Sequence, residues 1–396
     1  MKPVYIIEGA RTPFGSFGGR LKDVSPTNLG VTASKEAIKR SGIDPEQIDL
    51  SVIGNVIHSS KNAPYLARHI ALKSGLTQNA PSLAVNRLCG SGLQSVVSAA
   101  QSIVLGEGET ALAGGVDSMS LAPYALRGSR FGTKLGSPQV DDMLWAALTD
   151  EYIGCGMGVT AENLAEKHHI SREEQDQYAA FSHQRASEAR RSGKFDEEIA
   201  PVEVKTRKGT EMVAADEHIR EDTTGEVLSK LKPAFKKEGT VTGGNASGIN
   251  DGAGAVVLAG EDAVTNLSLK PLSKIISWGV AGVDPSYMGI GPVPAMKMAL
   301  EKAALTIEDM SVIEVNEAFA AQYLAVEKEM GLDRSKVNVN GGAIALGHPV
   351  GASGTRVLYT MMKELTRRNE RYGIASLCIG GGQGIAMIVE NVQMNQ

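Results

Sequence analysis

One stretch near the C-terminus decides the fold: Asn338-Val-Asn-Gly-Gly-Ala-Ile-Ala-Leu-Gly-His-Pro-Val-Gly-Ala-Ser-Gly354, followed later by Ala375-Ser-Leu-Cys-Ile-Gly-Gly-Gly-Gln-Gly384. The pattern predicts a strand over 337–340, a glycine-dense turn through 354, a helix over 355–368 and a strand over 374–378. The first turn carries one histidine, His348, and the second one cysteine, Cys378. Glycines at this density let the backbone take positive φ and come close to a ligand. A reactive side chain in such a turn is within reach of a substrate.

The same order occurs upstream. Leu83-Ala-Val-Asn-Arg-Leu-Cys-Gly-Ser-Gly92 reads as a strand breaking into a glycine turn, then a helix over 93–105 and a strand over 110–115. A second echo precedes each copy. A helix over 27–41 with Gly42 as its stop, an acidic turn and a strand with Ser51-Val-Ile match a helix over 295–304, an acidic turn and Ser311-Val-Ile. A motif of this size repeated in order points to duplication, and its alternation of strand and helix to two α/β units. A strand over 4–8 opens the first unit and one over 255–259 closes it. Between them, residues 121–241 are charged and rich in helix formers, with a capping-box signature at Ser171 and Glu174. They read as a long insertion, a lid or binding domain. The expected boundaries are 1–120 with 242–270 for the first half, 121–241 for the insertion and 271–396 for the second half.

At 396 residues the chain exceeds one ordinary core, so two or three domains are expected. A net charge of −5 and 5% aromatic residues argue against nucleic acid, for want of a basic footprint and stacking platforms. Three cysteines (Cys89, Cys155, Cys378) without a C-x-x-C fit neither a disulfide framework nor a zinc site. The N-terminal apolar run stops at Glu8, unlike a signal peptide, and no apolar run approaches the length needed to cross a bilayer. The expectation is a reduced, cytoplasmic protein.

Cys89 lies where a strand breaks and a helix begins, and the positive end of a helix favours thiolate. A lone cysteine on an apolar stretch is more often packing. The helix start, the flanking glycines and the partner turn with His348 reverse that weighting. A thiolate nucleophile needs a base, and His348 suits that role. The other six histidines read as structural. Strand ends of two such units would converge on one crevice, bringing Cys89, His348 and Cys378 together. Gly106-Glu-Gly-Glu lies between a helix and a strand, the wrong context for a dinucleotide fingerprint. Lys194 is followed by Phe195, so it is not a P-loop lysine, and neither H-E-x-x-H nor G-x-S-x-G occurs.

From end to end the chain resembles the thiolases. The resemblance is carried by Ala10-Arg-Thr-Pro-Phe-Gly15, Asn86-Arg-Leu-Cys-Gly-Ser-Gly92, Gly114-Gly-Val-Asp-Ser-Met119, Gly243-Gly-Asn-Ala-Ser-Gly248, Val315-Asn-Glu-Ala-Phe-Ala320, Gly342-Ala-Ile-Ala-Leu-Gly-His-Pro349 and Cys378-Ile-Gly-Gly-Gly382. It implies two similar α/β halves stacked as α/β/α/β/α layers, with a loop domain inserted in the first. Phe131-Gly-Thr-Lys-Leu-Gly-Ser137, Asp284-Pro-Ser-Tyr-Met-Gly-Ile-Gly-Pro-Val-Pro294 and Gly382-Gln-Gly-Ile-Ala386 resemble the mitochondrial-type 3-ketoacyl-CoA branch more than the short-chain biosynthetic one.

The resemblance implies acyl transfer between coenzyme A thioesters, with 3-ketoacyl-CoA cleaved by CoA and the reverse Claisen condensation. Cys89 would carry the acyl group, His348 would take its proton, and Cys378 would move the proton at the acetyl α-carbon. Asn316 would hold a water in one oxyanion hole, and the N–H groups of Cys89 and Gly380 would form another. Such chemistry needs an acyl carrier, a base for a weak C–H acid and donors for two oxyanions. It implies no metal and no permanently bound cofactor, coenzyme A being a substrate. Contacts to coenzyme A would come from Arg220, Thr223 and Ser247, with Phe235, Phe319 and Met157 along the acyl-pantetheine path. A homodimer or homotetramer is expected, without nucleic-acid or membrane partners. Gly156 stands where short-chain enzymes carry histidine before Met157, which argues against strict acetoacetyl-CoA specificity. Val227 stands where those enzymes have a serine contact to coenzyme A, and Cys155 has no counterpart role. The rival readings are an acetoacetyl-CoA-specific biosynthetic enzyme, a non-catalytic acyl-CoA or lipid-binding relative, and acyl-CoA hydrolysis as a side activity.

Overall fold

The computed structural model describes residues 2–394. The strands that build its main sheet are β1 (Val4–Arg11), β2 (Leu50–Gly54), β3 (Ser82–Val85), β4 (Thr110–Ser118) and β5 (Asn250–Gly260) in the first half. Those of the second are β6 (Ser273–Gly282), β7 (Val312–Val315), β8 (Tyr372–Ile379) and β9 (Gln383–Asn391). Their spatial order is β7-β8-β9-β6-β1-β5-β4-β2-β3, with the two-residue strand Gly15–Ser16 paired to β5. Read outward from the short β6–β1 junction, the sequence of roles is the same on both sides. β1 and β6 open each half, β5 and β9 close it, β4 and β8 come next, then β2 and β7. Ser51-Val-Ile and Ser311-Val-Ile fall on or beside these matched strands β2 and β7, so the echo in sequence is an echo in topology.

Helices α1 (Pro26–Ser41) and α2 (Leu66–Lys73) cover one face of the first half, and α3 (Ser91–Leu105) the other. Ser25 caps α1 through the N–H of Asn28, and Gly42 ends it at φ 73°, the left-handed turn that glycine takes without strain. Between β4 and β5, α4 (Met157–Lys167) and α5 (Arg172–Arg191) follow one another, and the capping box at Ser171 and Glu174 forms. In the second half, α6 (Pro292–Ala303) and α7 (Ala320–Met330) lie outside, α8 (Ala343–Leu346) is one turn long, and α9 (Ser353–Arg368) packs on α3. The α3–α9 pair is therefore the central layer. Its core joins Leu93, Val96 and Val97 to Val357, Leu358 and Met361, with Val256, Leu377 and Met387 from the two flanking sheet halves. This hydrophobic burial holds the halves together.

Two expectations fail here. The segment Leu88–Leu105 does reach the length and apolarity of a membrane span, with mean hydropathy 1.3. It includes α3, which is apolar because it is buried between two sheet halves. The strand expected over 337–340 is also absent. Val337 makes a single parallel bridge to Ile313, and Asn338 then takes φ 45°. From there its side chain replaces the backbone: Nδ2 donates to Val315 O at 2.9 Å, and Oδ1 accepts from Val315 N–H at 2.9 Å. The ladder on β7 is completed by an amide side chain, which frees the main chain to turn toward His348.

Candidate active site

The β3–α3 turn that carries Cys89 is held by its own polar groups. Ser91 Oγ donates to Leu88 O at 2.7 Å and accepts from Arg87 N–H at 2.8 Å, and Asn86 Oδ1 accepts from Leu88 N–H. The turn that carries His348 is pinned from several directions. Asn250 Oδ1 accepts from His348 N–H at 2.9 Å, and Asp117 Oδ2 accepts from Gly351 N–H at 2.7 Å. Asp117 Oδ1 also accepts from Ile57 N–H and Asn55 Nδ2, so one buried carboxylate ties β4, the loop after β2 and the histidine turn together. Beside these turns the two halves meet without side chains between them, at Gly115 on β4 and Gly354 on α9. A Cβ on Gly115 would lie 1.9 Å from Gly351 O, and one on Gly354 would lie 2.2 Å from Leu93 N. Any larger residue there would force the halves apart.

Cys89 and His348 line a cavity of about 390 Å³ whose walls are mostly apolar, including Leu144, Trp145, Leu148, Gly156, Met157, Met288, Phe235 and Phe319. Ser247 lines it as well. Cys378 and Asn316 are fully buried just behind it. Cys378 packs with Met288, Ala318, Met157 and Phe319, all of them lining residues. The backbone N–H groups of Gly380 and of Cys89 itself favour the ionised form of the Cys89 thiol, against its burial. Phe235 and Phe319 meet edge to face, with ring centroids 6.0 Å apart. Arg220 and Thr223 do not line this cavity. Arg220 is exposed, its N–H donating to His183 Nδ1 at 3.2 Å, and Thr223 N–H bonds back to Arg220 O. Val227 is 51% exposed.

At Cys89, burial acts against the thiolate that a helix start favours. Helix α3 starts at Ser91, two residues past Cys89, and burial pushes the Cys89 thiol up to about 11, against the N–H groups of Gly380 and Cys89. Desolvation outweighs the helix end, so the resting group is a thiol. Burial, and then the charge of Arg356, hold His348 down at about 3, so its imidazole is neutral and free to accept a proton. Burial, then the nearby Cys89, push the Cys378 thiol well above its ordinary range. A raised thiol loses its proton only as pH approaches the raised value. Labelling of Cys89 by iodoacetamide, read by mass on its peptide, should therefore climb about tenfold per pH unit from pH 6 toward 10. A plateau between pH 6 and 8 would instead reveal a preformed thiolate.

Some site residues escaped sequence reasoning. Ser353, Arg356, Asp117 and Asn250 touch His348, Asn316 or the turn that bears His348. Only Ser353 left a trace in the sequence, as the lone hydroxyl in the turn after His348.

Family models for the thiolase N-terminal domain and the thiolase C-terminal domain match residues 4–262 and 269–391. The mitochondrial 3-ketoacyl-CoA thiolases of Bos taurus and Homo sapiens are each 54% identical over 392 residues, covering 99% of this chain and 99% of each relative. The acetyl-CoA acetyltransferase of Cupriavidus necator is 48% identical, covering 98% of this chain and all of its own. The crystal structure of human mitochondrial 3-ketoacyl-CoA thiolase superimposes with a TM-score of 0.97 at 54% identity, covering 99% of both chains. The same human enzyme in complex with CoA gives 0.96 at 53% identity, covering 99% of this chain and 98% of that one. With both family domains matched and similarity running the whole length, the chain belongs to the thiolase family of CoA-dependent acyltransferases.

Proposed function

We propose that the protein cleaves 3-ketoacyl-CoA with coenzyme A, giving acetyl-CoA and a shortened acyl-CoA, and runs the reverse condensation. The observation that carries this reading is the gathering of Cys89, neutral His348, Gly380 N–H and Cys378 around one apolar cavity. In the cleavage direction, the Cys89 thiol gives its proton to His348 and its sulfur attacks the 3-keto carbon. The C2–C3 bond breaks, the acetyl-CoA enolate takes a proton from the Cys378 thiol, and the acyl group remains on Cys89 as a thioester. Coenzyme A then gives its thiol proton to the Cys378 thiolate, its sulfur attacks the thioester, and Cys89 leaves, taking back the proton held by His348. A thiol with raised pKa suits Cys378, because it holds its proton until an enolate appears, and its thiolate is a strong base in reverse. Asn316 with a water, and the N–H groups of Cys89 and Gly380, would receive the two oxyanions.

Ser247, Met157, Phe235 and Phe319 support a path for pantetheine and acyl chain along the cavity. Arg220 and Thr223, outside it, would meet the nucleotide end of coenzyme A. Residues 1–120 with 242–270, and 271–396, would act as the two catalytic halves and 121–241 as the coenzyme A domain. Three free cysteines support a reducing compartment, which we take as the cytoplasm. The edge strand β3, with Leu83 52% exposed, supports a homodimer or a pair of dimers, and a monomer in sedimentation equilibrium would overturn that part.

Gly156 supports a substrate range beyond four carbons. A Cβ there would have only Leu148 O at 3.5 Å and Thr149 Oγ1 at 3.9 Å as neighbours, so a larger side chain could stand in the acyl cavity. Thiolysis measured against chain length should stay high from four to eight carbons in the wild type. In Gly156→His, kcat/KM on the eight-carbon substrate should fall about 10- to 100-fold while the four-carbon rate persists. A wild-type rate that collapses beyond four carbons would favour the acetoacetyl-CoA-specific alternative.

A further inference from the structure

His348 can act as a base through only one of its two nitrogens at a time, and nothing in an imidazole alone decides which. The surroundings do. Nδ1 lies 2.6 Å from Ser353 Oγ, and Nε2 lies 3.4 Å from Asn316 Nδ2. Ser353 is fully buried at the start of α9, and its hydroxyl is 2.9 Å from Pro349 O. A serine could serve Nδ1 either way, since it both donates and accepts. Its other neighbour, Pro349 O, already accepts from the N–H groups of Ala352 and Ser353, so the hydroxyl alone leaves two arrangements open.

The far end of the chain of contacts closes the choice. Arg356 is fully buried in α9, with Nη1 3.0 Å from Glu314 Oε2 and Nη2 3.5 Å from Asn316 Oδ1. A guanidinium has donors only, whatever the protonation of its partner. The Asn316 group that faces it must then be the carbonyl oxygen, and the amide NH2 must face His348. A donor facing Nε2 requires that nitrogen to be bare. The proton therefore sits on Nδ1 and is donated to Ser353 Oγ. Every link runs in one direction, from Arg356 through Asn316 and His348 to Ser353 and on to Pro349. The opposite tautomer would set N–H against N–H at Asn316, or turn the amide so that its NH2 met the guanidinium. Both waste buried donors.

We propose that Arg356 and Ser353 are positioning residues that hold His348 with its proton on Nδ1 and its lone pair on Nε2, beside Asn316. The inference deepens the proposed acyl-transfer reading of this site and rests on it for its mechanistic meaning. Arg356 acts through Asn316, and Ser353 through the ring.

The test is ¹⁵N NMR of histidine-labelled resting enzyme, with His348 assigned by the signals lost in His348→Asn. The expected wild-type spectrum has a protonated Nδ1 and a bare Nε2 on His348. Ser353→Ala should mix the tautomers and lower kcat for thiolysis about 10- to 100-fold, with KM for coenzyme A within about twofold. Ser353→Thr, which keeps the hydroxyl, should restore both. A wild-type proton on Nε2 would overturn the proposal without any variant. So would Ser353→Ala with an unchanged tautomer and an unchanged kcat. The spectrum needs no turnover, so the expected tautomer in a protein that fails to cleave 3-ketoacyl-CoA would sink the functional reading and leave this inference standing.

Discussion

Cys89→Ala should reduce thiolysis by roughly five to six orders of magnitude, to background, while the protein stays folded and still binds coenzyme A. The size follows from removal of the proposed acyl carrier, a loss comparable to deleting the nucleophile of other acyl-transfer enzymes. The fold should tolerate the change, because Cys89 is only partly buried and its turn is held by Ser91 and Asn86 instead. Two measurements separate the meanings. Incubation of the wild type with acetyl-CoA should add one acetyl mass to the peptide containing Cys89, and the variant should gain none. Residual thiolysis above about one per cent, or an acetyl group found on another residue, would mean that the reaction does not pass through this thioester.

The second large effect is expected at Cys378, and it should split the reaction in two. Cys378→Ala removes the proton at the α-carbon step, which general acid–base catalysis of this kind makes worth about 10²- to 10⁴-fold. Transfer of an acetyl group from acetyl-CoA to Cys89 involves no C–H bond, so acetyl loading should persist. The variant should thus accumulate acyl-enzyme yet neither condense it nor cleave 3-ketoacyl-CoA at a useful rate. The site is fully buried and the side chain small, so the cavity left behind costs little beside the chemistry. Thiolysis within tenfold of the wild type would assign that proton to another group. Loss of loading together with thiolysis would instead indicate a collapsed site.

Much of this was legible in the chain because duplication leaves its mark in order as well as in composition. The turns after 86 and after 341 could be matched before any contact was known. The matched strands β2 and β7, and the helices α3 and α9, fell where the repeat put them. What stayed hidden depends on partners far away in sequence. Asn338 looks like a strand residue until its amide is seen bonding across to Val315. The helix start beside Cys89 favours thiolate, but the burial that raises its thiol is supplied by residues distant in the chain. Asp117 holds a turn 234 residues downstream, and Arg356 reaches back 40 residues to Asn316. No local pattern encodes such reach.

Gly115 and Gly354 let the two halves touch backbone to backbone, with Cys89 on one bank and His348, Asn316 and Cys378 on the other. The seam of the molecule and its proposed reaction centre are thus the same place. Strength of docking and competence for chemistry become a single quantity, so a slackened α3–α9 core would register as lost turnover before it registered as lost structure. In a protein built by doubling, that couples the fate of the copies: neither half can drift without the other feeling it.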